Sequence, residues 1–184
     1  MNFRLLVGLT AVIAPLLHSI SDLIEFYQGG FSIIQLLINY IAFLPMPWLL
    51  LGIYVVQEPR PGWIGLVGAL FYGAAFTYFN HTTLLALEQH VATYEALWVA
   101  LGITYTIHGA VMVIGGLMFG ISSLSISFLP RFSIILFISG LTLNLIFALL
   151  PVPDISQIIG STIRNIGLMA MGYSILSKHS DMAA

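Results

Sequence analysis

The chain has 184 residues, of which 59% are hydrophobic and 7% are charged, and it contains no cysteine. Soluble domains are about 25% charged, so this composition excludes a soluble globular protein and predicts a single integral membrane domain over residues 1–184. The net charge of −2 excludes a basic surface for nucleic acid. The sequence contains no phosphate-binding loop, so we also expect no nucleotide.

The first apolar segment resembles a signal peptide because it follows Arg4 near the start of the chain. Pro15, His18 and Asp22, however, occupy the place of a cleavage region, and no A-x-A cleavage site is present. We therefore expect an uncleaved first membrane helix.

Six segments have the roughly 20 mostly apolar residues that a membrane helix needs. In chain order they are residues 4–27, 31–56, 63–81, 96–120, 132–150 and 156–177. Glycines or prolines lie in most of the connections, including residues 151–154 before the last span. Pro45 and Pro47 lie within the second span and lack backbone donors. The sequence thus predicts an all-α fold, a six-helix transmembrane bundle with a Pro-kinked second helix.

The basic residues predict how this bundle is oriented. With six spans, four of them fall on one side: Arg4, Arg60, Arg131 and Lys178. The loops on the other side carry acidic residues and no lysine or arginine. Since positive charge favours the cytoplasmic side, both termini are predicted to be cytoplasmic. Residues 80–95 then form the longest outer connection, as a short interfacial helix or an extension of the third span.

Three ionisable residues of the first span lie on one helical face. His18, Asp22 and Glu25 are spaced i, i+4 and i+7. In the sixth span, Arg164 shares a face with small residues such as Gly160 and lies at a depth similar to that of Asp22. Because pairing reduces the cost of two charges inside a membrane, the sequence predicts an ion pair between Arg164 and Asp22.

Polar side chains inside membrane spans usually face the bundle interior or a water-filled cavity. Their estimated depths concentrate them in the outer half of the bundle, which predicts a polar pocket that opens outward. The predicted lining is His18, Asp22, Glu25, Asn80, His81, His108, Asn144 and Arg164.

The residues leave the question of a cofactor open. His18, Asp22 and His81 are candidate ligands for zinc, and His18 with His108 is the best candidate pair for haem. No H-x-x-x-H or H-E-x-x-H motif supports a metal enzyme. Our first expectation is therefore that the protein has no cofactor, and zinc and haem are the alternatives.

The second half of the chain resembles a known group of proteins. The matching features are His108-Gly109, Gly115-Gly116-Leu117, Leu129-Pro130-Arg131, Gly140, Leu145, Pro151-x-Pro153 and Gly160 through Arg164-x-x-Gly167. They resemble small bacterial six- or seven-helix membrane proteins grouped in domain-of-unknown-function families. The resemblance covers residues 108–177 and implies a multi-pass protein of a bacterial-type plasma (inner) membrane. It implies no catalytic residues.

Three functions follow as hypotheses. The first is a membrane protein that handles a small ligand, lipid, ion or proton in the outward-facing pocket, where Asp22 and Glu25 bind a cation or proton and Arg164 binds an anionic group. The second is a metal- or haem-dependent intramembrane enzyme. The third is a structural or accessory subunit with no chemistry of its own. Beyond the lipid bilayer, the partners left open are a homo-oligomer and another membrane protein.

Overall fold

The computed structural model describes residues 2–150 and 155–183, with side chains through Lys178. This described part is all-helical, which confirms the predicted fold class. Its helices are α1 (Phe3–Gln28), α2 (Ile33–Phe43), α3 (Met46–Val56), α4 (Gly62–Glu88), α5 (Tyr94–Leu101), α6 (Ile103–Leu124), α7 (Arg131–Leu149) and α8 (Ile155–Ala183). The predicted Pro-rich connection at 151–154 lies outside the described residues.

Five segments among the described residues are long and apolar enough to cross a membrane. They are Phe3–Gln28, Ile33–Val56, Gly62–Glu88, Ile103–Leu124 and Arg131–Leu149. These segments support a multi-pass membrane protein. The last predicted span, 156–177, lies within α8, which is not one of the five. The six-span count therefore stays a prediction.

The second membrane segment is interrupted where its two prolines lie. Helix α2 ends at Phe43 and α3 begins at Met46, with Pro45 between them. Because neither Pro45 nor Pro47 can donate a backbone hydrogen bond, the ladder of the helix is broken here. The Trp48 amide instead donates to the Pro45 carbonyl at 3.1 Å. The predicted kink is thus present.

The helices that correspond to the third and fourth predicted spans have other boundaries than those spans. Helix α4 continues to Glu88 instead of ending near residue 81, which fits the expected extension of the third span. The fourth predicted span, 96–120, is two helices that meet at Gly102. Gly102 has φ 58° and ψ −142°, a conformation that side-chain-bearing residues rarely adopt. This glycine therefore ends α5 and lets α6 begin in a new direction.

The four basic residues that set the predicted orientation lie at one end of the bundle. Three contacts bring the elements of this end together: Arg4 with Glu58, Gln57 with Ser123, and Lys178 with the Phe128 carbonyl. They join the start of α1, the ends of α3 and α6, and the last turns of α8. We call this the basic end. At the other end, Phe31 N–H donates to the Ala92 carbonyl at 2.8 Å and joins the α1–α2 and α4–α5 connections.

Glycines allow the helix backbones to touch. A methyl group on Gly172 of α8 would lie 2.8 Å from the Gly8 carbonyl of α1. Between α4 and α6, a methyl group on Gly68 would lie 2.6 Å from the Gly115 carbonyl. Small residues at helix crossings are typical of membrane bundles, in which tight packing drives association. These crossings hold α1 against α8 and α4 against α6.

The α7–α8 crossing fixes the position of Arg164. A methyl group on Gly140 would collide with the Arg164 backbone, and one on Gly167 would lie 2.5 Å from the Phe137 amide nitrogen. The two backbones are thus in contact over about one turn. As a result, α7 determines where α8 presents the Arg164 side chain.

We predict that Gly140→Ala destabilises the protein by about 1–3 kcal/mol, because the added methyl group must displace the backbone of α8. Thermal unfolding in detergent measures the effect. Gly109→Ala is the matched control, since no neighbouring atom of the described residues lies within 4 Å of the added methyl group. Equal melting temperatures for the two variants would contradict the close crossing.

Candidate functional site

A cavity of about 380 Å³ lies in the half of the bundle opposite the basic end. Helices α1, α6, α7 and α8 surround it, and α5 contributes Tyr94 and Trp98 to its lining. Phenylalanines from α2 and α4 complete the wall. A cavity of this volume is within the range of small-molecule sites.

The cavity brings together five of the eight residues predicted to line a pocket. These are His18, Asp22, Glu25, Asn144 and Arg164. They come from α1, α7 and α8, so residues distant in the sequence meet in one site. The predicted residues of α4 and α6 are absent from its lining.

Those three residues have other surroundings. His81 is exposed on α4. His108 stacks on Tyr78 with ring centroids 3.7 Å apart and donates through Nδ1 to the Thr104 carbonyl at 2.8 Å. The Oδ1 atom of Asn80 is buried and has no hydrogen-bond partner in the described part of the chain. None of the three takes part in the cavity.

Arg164 is the charged group at the centre of the site, and only 2% of its surface is exposed. Its Nη2 donates to His18 Nδ1 at 3.1 Å, and both Nη2 and Nε donate to Asn165 Oδ1 at 3.2 and 3.3 Å. Among the described residues, the one hydrogen-bond acceptor of its Nη1 is the Met112 sulfur, at 3.7 Å. Since a thioether is a weak acceptor, one side of the guanidinium lacks a strong partner.

The predicted ion pair between Arg164 and Asp22 is wrong. Within the described residues, no salt bridge joins Arg164 to a carboxylate. The reason is that His18 lies between them, with its Nε2 3.4 Å from Asp22 Oδ1. The other carboxylate oxygen of Asp22 accepts a 2.6 Å hydrogen bond from Ser161 Oγ. Asp22 is thus bound to α8 one turn away from the arginine.

The bonds of His18 determine its tautomer. Arginine can only donate, so the Nδ1 atom that faces Arg164 must accept. The ring proton is therefore on Nε2, which points toward Asp22. This neutral imidazole connects the carboxylate to the guanidinium without neutralising either charge.

The sequence analysis missed two polar residues of α8 that complete this network. Asn165 Nδ2 donates to Ser19 Oγ of α1 at 3.0 Å, in addition to accepting from Arg164. Ser161 binds Asp22. The signal was available for Ser161, which is three residues before Arg164 and so lies on the same helical face. Asn165 could also have been predicted, because a polar amide inside a membrane span usually faces the bundle interior.

Glu25 is held at the cavity by α2. The Gln35 side-chain amide donates to Ser21 Oγ at 2.9 Å and to Glu25 Oε2 at 3.4 Å. Both Ser21 and Gln35 are buried. The carboxylate of Glu25 is therefore positioned by a neighbouring helix while it lines the cavity.

Three aromatic rings form one wall of the cavity. Tyr94 lies 5.8 Å from both Trp98 and Tyr105, and Trp98 lies 6.2 Å from Tyr105, measured between ring centroids. All three line the cavity. We call them the aromatic wall. They belong to α5 and the start of α6, on either side of the break at Gly102.

Neither candidate metal set is assembled in the described residues. No group of three or more histidine, aspartate or glutamate side chains there is placed to hold a metal ion. The exposed His81 lies apart from His18 and Asp22. For the haem pair, both nitrogens of His18 face polar partners, and His108 is turned toward α4.

No protein-family model, curated protein or solved structure matches this chain. The resemblance of residues 108–177 to small bacterial membrane proteins therefore stays a prediction.

We predict that Ser161→Ala destabilises the protein by about 1 kcal/mol, because Asp22 loses a hydrogen bond between α8 and α1. Thermal unfolding of the purified protein measures the loss. The control is Ser177→Ala, which removes a bond to the Ser174 carbonyl within α8 itself. If the two substitutions had the same effect, the Asp22–Ser161 bond would not hold the helices together.

Proposed function

We propose that this chain is a six-span membrane protein with cytoplasmic termini, whose outward-facing cavity binds a small ligand through an anionic group at Arg164. The observation that carries this proposal is the buried guanidinium that lacks a carboxylate partner among the described residues. A charge within a membrane bundle is expensive unless it is paired or reaches water. An anionic ligand group in the cavity would supply the missing pair.

The free side of the guanidinium favours such a ligand. Nη1 faces Met112, and Arg164 and Met112 both line the cavity. Arginine binds carboxylate and phosphate through paired hydrogen bonds. An anion that enters the cavity would therefore gain donors from Nη1 without breaking the bonds to His18 and Asn165.

The orientation supports an opening on the outer face. The four basic residues gather at one end of the bundle, which the positive-inside rule assigns to the cytoplasm. The cavity lies in the other half. A ligand would then enter from the outer side of the membrane or from its outer leaflet.

A second candidate function is structural. Among the described residues, four bonds join α1 to α8 around the cavity: Asp22 with Ser161, His18 with Arg164 and with Asn165, and Ser19 with Asn165. Such a polar network holds two helices in register without any ligand. In this alternative, Arg164 only holds α1 and α8 together, and its substitution changes the stability of the protein but not the binding of any ligand.

Binding of an anionic probe tests the proposed function. The probe is 5,5-dimethylhexanoate, a small carboxylate with an apolar end, added to protein in a non-ionic detergent. Trp98 lines the cavity, whereas Trp48 and Trp63 are 71% and 72% exposed. In a Trp48→Phe, Trp63→Phe background, Trp98 fluorescence therefore reports binding. We expect a saturable change that Arg164→Gln weakens by roughly 30-fold or more.

Arg131→Gln is the control, because this exposed arginine lies at the basic end. It should leave the affinity unchanged. Saturable binding that survives Arg164→Gln, or no binding to a folded wild-type protein, would overturn the proposal. In the second case, a loss of stability in Arg164→Gln would favour the structural function.

Cysteine labelling tests the orientation, and the absence of native cysteine makes it free of background. Gln89 and Ser125 are exposed at opposite ends of the bundle. We predict that a membrane-impermeant maleimide labels Gln89→Cys on intact cells. It should label Ser125→Cys only after permeabilisation. The reverse pattern would place both termini outside.

A further inference from the structure

The charges of the cavity do not suit a simple anion. Among the described residues, its lining holds one guanidinium, Arg164, and two carboxyl groups, Asp22 and Glu25. His18 is neutral by its hydrogen bonds. An anion at Arg164 would add negative charge to a cavity that already holds these two carboxyl groups, and like charges in a site of low dielectric repel strongly. A positive group on the same ligand would remove this repulsion.

The aromatic wall and Glu25 form a place for that positive group. Glu25 is in the last turns of α1, and the bond from Phe31 to Ala92 joins the connection after α1 to the one before α5. Glu25, Tyr94, Trp98 and Tyr105 therefore line the cavity at the same end of the bundle. Aromatic faces attract cations, and alkylammonium groups in particular.

The two ends of the cavity are separated along α1. Arg164 contacts His18, and Glu25 follows His18 by seven positions along α1. With a rise of about 1.5 Å per residue, the guanidinium and the carboxylate differ in level by roughly 10 Å. Each contact between a ligand charge and the protein itself spans about 3–4 Å. The two charges of a ligand therefore need to be only a few bonds apart to reach both ends of the cavity.

We infer that the ligand is a small zwitterion, with its anionic group on Arg164 and its ammonium group between Glu25 and the aromatic wall. This inference rests on the proposed function, because it assumes the anion site at Arg164. It assigns the ammonium site to Glu25, Tyr94, Trp98 and Tyr105. The same chemistry occurs in free small molecules and in lipid headgroups.

A pair of isosteric probes tests the inference. 4-(Trimethylammonio)butyrate carries both charges, and 5,5-dimethylhexanoate has the same shape with a neutral tert-butyl group in place of the ammonium. Trp98 fluorescence in the Trp48→Phe, Trp63→Phe background reports the binding of each. We expect the zwitterion to bind about tenfold more tightly.

Glu25→Gln should abolish this preference by weakening the binding of the zwitterion, and it should not weaken the binding of 5,5-dimethylhexanoate, because it removes a negative charge from the cavity. Glutamine keeps an oxygen that can accept the bond from Gln35, so the fold around it is preserved. Glu95→Gln is the control, since Glu95 is exposed near the same end of the bundle and should change neither affinity.

The outcomes separate the inference from the proposed function. Equal affinities for the two probes in the wild-type protein would overturn the zwitterion and leave the anion site intact. Weaker binding of both probes to Glu25→Gln by the same factor would also overturn it. If neither probe binds, the proposed function fails as well.

A third probe distinguishes the two sources of the ligand. 4-(Hexyldimethylammonio)butyrate has the same charges and an alkyl chain that mimics a bilayer amphiphile. If this probe binds more tightly than 4-(trimethylammonio)butyrate, the site binds a lipid headgroup. Unchanged or reduced affinity would assign it to a free zwitterion. Both results require that the parent zwitterion binds more tightly than its isostere.

Discussion

A positive charge buried inside a membrane bundle has to be compensated, and Arg164 is compensated only in part. Its guanidinium is satisfied on one side by the neutral His18 and by the Asn165 carbonyl oxygen, and it lies 5.9 Å from the centre of the Phe76 ring. No carboxylate among the described residues pairs with it. Asp22, the partner predicted from the sequence, is instead bound to Ser161. The side of the guanidinium that lacks a strong partner faces the cavity, so a ligand there can complete its compensation.

The rest of the bundle holds that charge in place. The crossing at Gly140 sets α8 against α7, and the crossing of Gly8 with Gly172 sets α1 against α8. Both contacts are between backbones, so the network of His18, Asp22 and Arg164 is built on rigid helices. By contrast, the aromatic wall is divided by the break at Gly102. The cavity therefore combines a fixed anion site with a wall that belongs to two separate helices.

Composition and hydropathy were enough to predict the all-α membrane class, and the prolines were enough to predict the break at Pro45. Helical spacing also placed His18, Asp22 and Glu25 in one cavity, because residues at i, i+4 and i+7 must share a face. Pairing across helices was beyond this kind of argument. Depth alone could not show that His18 separates Asp22 from Arg164, since this depends on how α1 and α8 are rotated about their axes. The break at Gly102 was missed because a glycine between apolar residues is equally compatible with one long helix.

The guanidinium of Arg164 can be observed directly by NMR. The chain has few arginines, and the other three are Arg4, Arg60 and Arg131 at the basic end. In protein labelled with ¹⁵N-arginine and embedded in lipid nanodiscs, the Arg164→Lys variant identifies the Arg164 side-chain signal by its absence. The account predicts that a titration with 5,5-dimethylhexanoate shifts this signal saturably and leaves the others in place. An Arg164 signal that does not move at saturating probe would contradict the anion site.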